Sequence, residues 1–347
     1  MTEKTDIKSM DLAQLQIFVE GLGEKKFRAK QLYQWMHQKL AAGFDEMTNL
    51  SKDFRSKLAE RSELHGAKVI RKQVSKDGTT KFLMELSDGN TVESVWMQYH
   101  HGNSVCISTQ VGCRMGCRFC ASTVGGLVRS LRTSEMLDQI YEIQRITDQR
   151  VSNVILMGIG EPLDNFENVV QFIRMLSDAD GLHISQRNIT LSTCGLVDQI
   201  RRLMAEKLTI TLAISLHAPN DTLRATMMPV ANRYSIQEIM QVCREYVEQT
   251  GRRITFEYSM VEGVNDTPEH AKELSQLLHG LLCHVNLIPL NPVDGRMGNR
   301  SKRTNVQEFK LVLEKNHTNV TIRREMGSDI DAACGQLRNQ NKGGETT

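Results

Sequence analysis

Hydrophobic residues in the first part of the chain recur at helical intervals. Between residues 11 and 62 one apolar group contains Leu12, Leu15 and Phe18, and another contains Leu32 and Met36. Glycines separate these groups, and each group is too short for a long helix. The pattern predicts several short amphipathic helices.

From about residue 66 to residue 98 the pattern changes to short runs of β-forming residues. Asp77-Gly78 and Asp88-Gly89 are dipeptides that favour tight hairpin turns, and they separate three such runs. The predicted strands contain Val69-Ile70, Lys81–Met84 and Thr91–Val95.

Beyond Ser104, strand-like and helix-like segments alternate. Ser235 and Glu238 form a capping box at the start of one helix, Thr267-Pro268 begins another, and a further helix lies near 305–315. Near-continuous apolar strands alternating with helices predict an α/β fold in which a parallel sheet forms a partial, TIM-like (β/α)6 barrel. The pattern alone does not distinguish this barrel from a doubly wound sheet. The predicted strands are 151–157, 188–192, 209–215, 254–260, 284–289 and 320–323.

These changes of pattern divide the chain into four parts. We expect an N-terminal helical accessory module at 1–65 that helps to hold a large substrate, and a β-hairpin extension at 66–98. The barrel core would span 99–337, and 338–347 would be a flexible tail.

The composition excludes several classes of protein. No apolar run approaches membrane-spanning length, and the first residues lack the apolar core of a signal peptide. With a net charge of only +2, the chain is not strongly basic, so any nucleic-acid site must be a local basic face. We expect a cytoplasmic protein, in which eight cysteines would be thiols or metal ligands rather than disulfides.

Cys113, Cys117 and Cys120 follow one another at the spacing C-x3-C-x2-C, in a segment that we call the three-cysteine loop. Three thiolates this close can hold one metal centre, but they are one ligand short of a closed four-cysteine site. A 4Fe–4S cluster held in this way keeps one iron for the amino and carboxylate groups of S-adenosylmethionine. The loop closely resembles that of the radical SAM enzymes. A zinc knuckle would need a fourth ligand, and no second Cys or His pair follows at a matching distance.

Several polar residues follow predicted strands, where chemistry is concentrated in barrels of this kind. After the strand at 151–157, Gly160 allows close approach of a ligand to the backbone, and Glu161 offers an acceptor to an ammonium group. A helix cap, a solvated turn or a structural histidine would explain each candidate separately, so they indicate a site only as a group. The other members are Ser192, Ser215, His217 and Asn291.

Two further cysteines and one glutamate have distinctive settings. Cys106 lies on the predicted strand before the three-cysteine loop, and Cys334 follows the last strand among small, acidic and glycine residues typical of a mobile loop. These two thiols are candidate ligands, nucleophiles or a redox pair. Glu93 shares a strand with apolar residues, and the sequence favours a solvent-facing side chain. The remaining cysteines, Cys194, Cys243 and Cys283, are expected to be small buried hydrophobic residues.

Together these motifs resemble the radical SAM adenine-carbon-2 RNA methyltransferases of the RlmN type over nearly the whole chain. The related Cfr-type enzymes, which methylate carbon 8 of the same adenine, share many of the motifs. Pro162 after Gly-Glu, and Ala-Pro-Asn-Asp after Ser-Leu-His, favour the carbon-2 branch. The matching segments are 104–113, 157–163, 215–221, 263–266, 288–292 and 329–337.

The resemblance implies a radical SAM barrel and a role for each candidate residue. The three-cysteine loop would bind one 4Fe–4S cluster, and Cys334 would carry the methyl group. Glu93 would accept a proton, and Cys106 would release the product by forming a disulfide with Cys334. The implied S-adenosylmethionine contacts are Gly160, Glu161, Ser192, Ser215, Leu216, His217 and Asn291.

By the same resemblance, each turnover consumes two S-adenosylmethionine molecules. The first methylates Cys334, and the second gives a 5′-deoxyadenosyl radical that takes a hydrogen atom from this methyl group. The resulting carbon radical adds to the adenine. Such a route is needed because carbon 2 of adenine is not nucleophilic and cannot take a methyl group directly from a sulfonium.

The implied substrates are an adenine in the peptidyl-transferase region of 23S ribosomal RNA and the adenine 3′ of the anticodon in some transfer RNAs. An electron donor such as flavodoxin or ferredoxin, a monomeric state and no membrane attachment are also expected. Basic residues that would face RNA, unless they are only solvated, are Lys25, Lys26, Arg28, Lys30, Arg296, Arg300, Lys302 and Arg303.

Two other classes of function are also compatible with the sequence. A radical SAM enzyme acting on a peptide or small molecule would make Cys334 dispensable. A noncatalytic iron–sulfur or zinc RNA-binding protein would leave Gly160-Glu161 and Ser215-Leu216-His217 without a purpose.

Overall fold

A ten-stranded mixed sheet forms the centre of the computed structural model, which describes residues 4–64, 66–100 and 102–337. The predicted tail at 338–347 lies outside the described residues. The strands are β1 (Thr5–Asp6), β2 (Ser62–Glu63), β3 (Lys68–Val74), β4 (Thr80–Glu85), β5 (Thr91–Tyr99), β6 (Gly102–Cys106), β7 (Gln110–Gly112), β8 (Leu127–Ser130), β9 (Val151–Leu156), β10 (Ile189–Thr193), β11 (Thr211–Ser215), β12 (Ile254–Met260), β13 (Cys283–Pro289) and β14 (Val320–Ile322). The helices are α1 (Leu12–Gly21), α2 (Phe27–His37), α3 (Lys52–Arg61), α4 (Thr133–Thr147), α5 (Phe166–Ser177), α6 (Val197–Ala205), α7 (Asp221–Met227), α8 (Ile236–Thr250), α9 (Pro268–Leu278) and α10 (Arg303–Lys315).

The parallel part of the sheet runs in the order β6-β9-β10-β11-β12-β13-β14. A helix follows each of these strands except the last, because parallel neighbours need a long crossover connection. Within the described residues β14 ends the sheet and does not pair with β3 at the other end, so the barrel is open. The predicted partial barrel with six β/α units is therefore confirmed.

Three antiparallel strands, β3, β4 and β5, continue the same sheet from β6. Both hairpin turns lie where the sequence predicts them, and the left-handed backbone at Gly78 (φ +87°) and Gly89 (φ +79°) explains the need for glycine there. Strand β5 is longer than predicted, since its last residues pair with β6. This antiparallel extension therefore brings β4 and β5 beside the barrel mouth.

The N-terminal helices α1, α2 and α3 pack on the outer helices of the barrel. Lys8 forms a buried ion pair of 2.7 Å with Asp138 on α4, and His37 Nδ1 lies 2.8 Å from the hydroxyl of Tyr141. Their apolar side chains join the same hydrophobic core as the barrel strands. The predicted short helices of this region are confirmed.

Local signals in the barrel also agree with the structure. Ser235 and Glu238 form the predicted capping box, and Thr267 caps the helix that Pro268 begins. Across the described ranges, no helix combines the length and apolar character needed to cross a bilayer. The expectation that the remaining cysteines are buried is confirmed for Cys194, Cys243 and Cys283.

Candidate functional site

A cavity of about 920 Å³, counted with the solvent at its mouth, opens at the carboxyl ends of the parallel strands. We call it the first cavity. Sequence-predicted residues that line it are Cys113, Cys117, Cys120, Gly160, Glu161, Ser192, Ser215, His217, Asn291 and Cys334. Leu216, in contrast, is fully buried and does not line it.

The three-cysteine loop leaves a small hairpin formed by β7 and β8. At Gly112 the backbone has φ +75°, and a Cβ atom would lie 2.0 Å from the carbonyl oxygen of Gly126. Glycine is therefore required there, and it lets Cys113 N donate a hydrogen bond of 3.0 Å to the same carbonyl. Thr123 Oγ1 donates to the carbonyls of Cys117 and Cys120. These bonds direct the thiols into the first cavity.

The donor set of this loop fits a cluster with three thiolate ligands. Burial raises the pKa of the Cys113 thiol to about 12, and it raises the pKa values of Cys117 and Cys120 in the same direction. Thiols of this kind release their protons when a metal centre binds to them, because its positive charge stabilises the thiolates. In residues 4–64, 66–100 and 102–337, no three His, Cys, Asp or Glu side chains are arranged to hold a single metal ion. Three thiols on a wall of a cavity this large suit a 4Fe–4S cluster with S-adenosylmethionine beside it.

Glu161 is nearly fully buried and held by backbone donors. Its carboxylate accepts hydrogen bonds from Cys194 N (2.8 Å) and Leu163 N (3.1 Å), while its own N–H donates to Gln110 Oε1. Burial raises the pKa of this carboxyl, and the hydrogen bonds oppose that change. A carboxylate fixed in this way can bind an ammonium group.

The glycines before Glu161 are required by packing within the chain. A Cβ atom at Gly158 would lie 2.5 Å from the carbonyl oxygen of Ile107, and one at Gly160 would lie 2.6 Å from Gln110 Cβ. The sequence interpretation attributed such close approach to a ligand. In the structure, the glycines let the turn after β9 contact the segment after β6.

His217 presents a neutral imidazole to the first cavity. Its Nδ1 accepts a hydrogen bond of 2.9 Å from Ser259 N, and its ring packs edge-on against Phe119 at 5.1 Å. Burial, followed by the charge of Arg224, lowers the pKa of His217 to about 3. Because Nδ1 is an acceptor, the neutral ring carries its proton on Nε2 and can donate there. Nearby, the hydroxyls of Ser192 and Ser215 lie 3.2 Å apart.

The structure adds a charged pair that the sequence interpretation missed. Glu257 on β12 and Arg323 after β14 lie 4.0 Å apart, and Asn286 Nδ2 donates to Glu257 at 2.8 Å. Both charged residues line the first cavity. The rule that identified the other strand-end residues applies equally to Arg323, which directly follows the last strand. Glu257 lies inside a strand, where no sequence signal distinguishes it.

Cys334 and Cys106 meet at a second cavity of about 600 Å³, on the other side of Cys334 from the three-cysteine loop. Cys334 and Arg323 line both cavities, whereas Cys106 lines only the second. Burial and, secondarily, the nearby Cys334 raise the pKa of Cys106 to about 12. The pKa of Arg323 is raised, chiefly by Cys334, so its positive charge lies within electrostatic reach of the thiol.

Residues 327–337, which we call the Cys334 loop, are bound on two sides. Ala121 N donates to Gly335 O at 2.8 Å, and Ser122 Oγ donates to Leu337 O at 2.7 Å. Asn291 Nδ2 donates to the carbonyl of Cys334 itself at 3.3 Å. The loop is thereby docked against the three-cysteine loop.

On its other side the Cys334 loop contacts the turn between β3 and β4. Ser75 Oγ donates to Asp329 at 2.5 Å, and Gly327 N donates to Asp77 at 3.0 Å. The antiparallel extension therefore supports the thiol from outside the barrel.

Glu93 corrects the sequence interpretation, which favoured a solvent-facing side chain. It is 1% exposed, because Met326, Ala332 and Leu337 pack over the face of β5 on which it lies. Glu93 lines neither cavity, and Lys81 on the neighbouring strand forms an ion pair with it.

Several of the predicted RNA-facing basic residues are engaged within the chain. Arg296 donates to the carbonyl of Cys117 at 2.7 Å, so it supports the three-cysteine loop. Arg300, Lys302 and Lys30 pair with Glu325, Glu262 and Asp180 respectively. Lys25, Lys26 and Arg303 are exposed.

Comparisons with known proteins agree with this architecture. Residues 5–64 match the family model "Ribosomal RNA large subunit methyltransferase N-terminal domain", and residues 107–275 match "Radical SAM superfamily". A protein of Lachnospira eligens named "Probable dual-specificity RNA methyltransferase RlmN" is 64% identical over 337 residues, which cover 97% of this chain and 96% of the relative. A protein of the same name from Lachnoclostridium phytofermentans is 62% identical over 97% of this chain and 95% of its own length. The crystal structure of a radical SAM methyltransferase from Sphaerobacter thermophilus superposes with a TM-score of 0.93 at 41% identity, covering 96% of this chain and 99% of the other.

Proposed function

The chain belongs to the RlmN family of radical SAM RNA methyltransferases, and we propose that it methylates carbon 2 of one adenine in the peptidyl-transferase region of 23S ribosomal RNA. The proposal extends to the adenine 3′ of the anticodon in some transfer RNAs, because the relatives are named as dual-specificity enzymes. The reaction would take place in the cytoplasm, with electrons from a flavodoxin or ferredoxin.

One observation carries the proposal: Cys334 lines both cavities, between the three-cysteine loop and Cys106. A methyl carrier must meet S-adenosylmethionine on one side and the acceptor base on the other. A radical SAM enzyme that used no carrier would have no need for a thiol at this boundary.

The residues of the first cavity would hold the cluster and S-adenosylmethionine. Cys113, Cys117 and Cys120 are the cluster ligands, Glu161 binds the amino group, and His217 donates from Nε2. When bound, these groups supply one methyl group and a 5′-deoxyadenosyl radical that removes a hydrogen atom from the methylated Cys334.

The remaining steps use Cys334 and Cys106, which line the second cavity, and Glu93 on β5, the strand whose Val95 and Met97 line it. The sulfur of Cys334, beside Arg323, takes the methyl group by displacement. After the carbon radical adds to adenine, the adduct would return one electron to the bound cluster, and Glu93 accepts the proton that leaves the base. Cys106 then attacks the sulfur of Cys334, and the carbon–sulfur bond breaks as the Cys106–Cys334 disulfide forms. The freed carbon takes up a proton and becomes the methyl group.

Mass spectrometry of adenosines in RNA tests the function most directly. Ribosomal and transfer RNA from a deletion strain should lack 2-methyladenosine, and expression of this chain should restore it. Restoration of 8-methyladenosine instead would assign the chain to the carbon-8 reaction. Unchanged RNA in both strains would exclude an RNA methyltransferase acting on these substrates.

A further inference from the structure

Arg224 carries a positive charge into the interior of the barrel without a carboxylate partner. Its side chain lies on α7 and is fully buried. Among the ion pairs of the described residues, none includes Arg224. The nearest acidic residue on its own helix, Asp221, accepts a hydrogen bond from Ile236 N instead.

The guanidinium is hydrogen-bonded, but only to neutral acceptors. Nε donates to Leu216 O at 3.2 Å, Nη1 to Tyr234 O at 3.4 Å and Nη2 to Cys194 O at 2.6 Å. These carbonyls accept from three of the N–H groups, and in the described part of the chain no carboxylate contacts the guanidinium to compensate its charge. Burial accordingly lowers the pKa of Arg224, which means that the charged form is held at a cost. An anion in the adjoining cavity would remove much of that cost.

The uncompensated charge lies beside the three-cysteine loop. Arg118 N in that loop donates to the carbonyl of Met227 at the end of α7, at 2.9 Å. Cys194, whose carbonyl accepts from Arg224, lines the first cavity. The guanidinium therefore contacts a residue in the wall of the cavity that the three-cysteine loop also lines.

A 4Fe–4S cluster held by three thiolates is an anion, and it gains another negative charge when it is reduced. We propose that Arg224 is the buried counter-ion of the cluster, whose fixed charge stabilises the bound cluster and raises its reduction potential. Arg224 is a positioning residue that touches neither the reacting atoms nor the RNA. The inference rests on the cluster site alone and is independent of the RNA substrate.

The test is the midpoint potential of the cluster in reconstituted protein, measured by mediated spectroelectrochemistry and electron paramagnetic resonance. Arg224→Met removes the charge, and Arg224→Lys keeps it. Arg252→Met is the matched control, because Arg252 also donates to a backbone carbonyl, that of Ile210, but at the amino end of β11. We expect Arg224→Met to lower the ratio of reduced to oxidised cluster at a given potential about tenfold, which is a shift of about 59 mV in the midpoint potential of a one-electron couple. Arg224→Lys and Arg252→Met should stay close to the parent protein.

Equal potentials for the parent protein and Arg224→Met, at full iron and sulfide content, would overturn the proposal. A decrease in midpoint potential as large in Arg224→Lys as in Arg224→Met would overturn it too, because the shape of the side chain, rather than its charge, would then set the potential. A loss of S-adenosylmethionine affinity without a change in potential would also overturn it, because the charge would then serve the carboxylate of that ligand.

Thermal unfolding provides a second measurement if Arg224→Met fails to take up the cluster. Loading with the cluster should raise the melting temperature of the parent protein and of Arg224→Lys more than that of Arg224→Gln, which keeps an amide donor. If cluster loading raised the melting temperature equally in all three proteins, that result would contradict a counter-ion role.

Discussion

Lys81 and Glu93 form an ion pair in which Nζ lies 3.2 Å from the carboxylate, and both side chains are almost completely buried. The same Nζ donates to the carbonyl of Asp331 in the Cys334 loop, also at 3.2 Å. Lys81 therefore links the candidate proton acceptor to the segment that carries the candidate methyl carrier.

Replacement of Lys81 by methionine should destabilise the protein. Removing one partner of a buried ion pair leaves a buried charge, which costs about 3–5 kcal/mol in the free energy of unfolding. Urea denaturation measures this loss, and Lys76→Met, exposed on the same hairpin, should stay within about 0.5 kcal/mol of the parent protein. A Lys81→Met/Glu93→Leu double variant should recover part of the loss; a double variant no more stable than the single one would argue against the ion pair as the cause.

The hairpin turn between β3 and β4 should control the position of Cys334. Asp329 accepts hydrogen bonds from Ser75 Oγ and, at 3.2 Å, from Lys76 N, so Asp329→Asn weakens this anchor. We expect Cys334 in the variant to react severalfold faster with an alkylating reagent, measured by peptide mass spectrometry. Methylation of Cys334 by S-adenosylmethionine should be slower. Ser328→Ala, at an exposed neighbouring position, is the control, and equal labelling rates in both variants would contradict the anchor.

Removal of the Cys106 thiol should trap the enzyme on its substrate. Without a nucleophile beside Cys334, the adduct with RNA cannot resolve, so Cys106→Ala should be purified with covalently attached, nuclease-sensitive RNA. Cys106→Ala/Cys334→Ser should carry none, and Cys243→Ala, at a buried site elsewhere, should behave as the parent protein. Fully active Cys106→Ala without attached RNA would refute the resolving role, and full methylation by Cys334→Ser would refute the carrier role.

Glu161→Gln should weaken S-adenosylmethionine binding. A hydrogen bond to a charged group contributes about 1.5–3 kcal/mol, so the dissociation constant should rise about tenfold or more. Calorimetric titration of cluster-loaded protein measures this change, with Glu167→Gln on the exposed face of α5 as the control. An unchanged dissociation constant at equal iron content would remove Glu161 from the binding site.

His37 should make the stability of the protein depend on pH. Burial, and then the charge of Lys8, lowers its pKa in the folded protein to about 3, compared with 6.5 when it is exposed. Below pH 6.5 the unfolded chain binds a proton at His37 that the folded chain does not bind. The contribution of His37 to the free energy of unfolding is therefore complete above pH 6.5 and is lost as the pH falls toward 3. Denaturation at a series of pH values should show that the free energy of unfolding falls less steeply with decreasing pH in His37→Gln than in the parent protein. A decline as steep as that of the parent protein would assign the effect to other groups.

The sequence predicts the arrangement of strands and helices better than it predicts which polar side chains are buried. The alternation of strands and helices predicts the six β/α units, and the strand-end rule identifies Glu161 and His217 because the carboxyl ends of parallel strands share one edge. The sequence pattern is misleading for Glu93, because the chain segment that covers β5 lies more than 200 residues away in sequence. It also gives no sign of Lys81 or Arg224, since a buried cation on a strand or helix has the same local pattern as a solvated one.

The hydrogen bond between Ser122 and Leu337 joins residues 215 positions apart. During synthesis the three-cysteine loop therefore leaves the ribosome long before the segment that docks against it. For that interval its thiols lack their cover and are open to oxidants and to competing metal ions. Iron and sulfide can therefore reach the three thiols before the last strand folds.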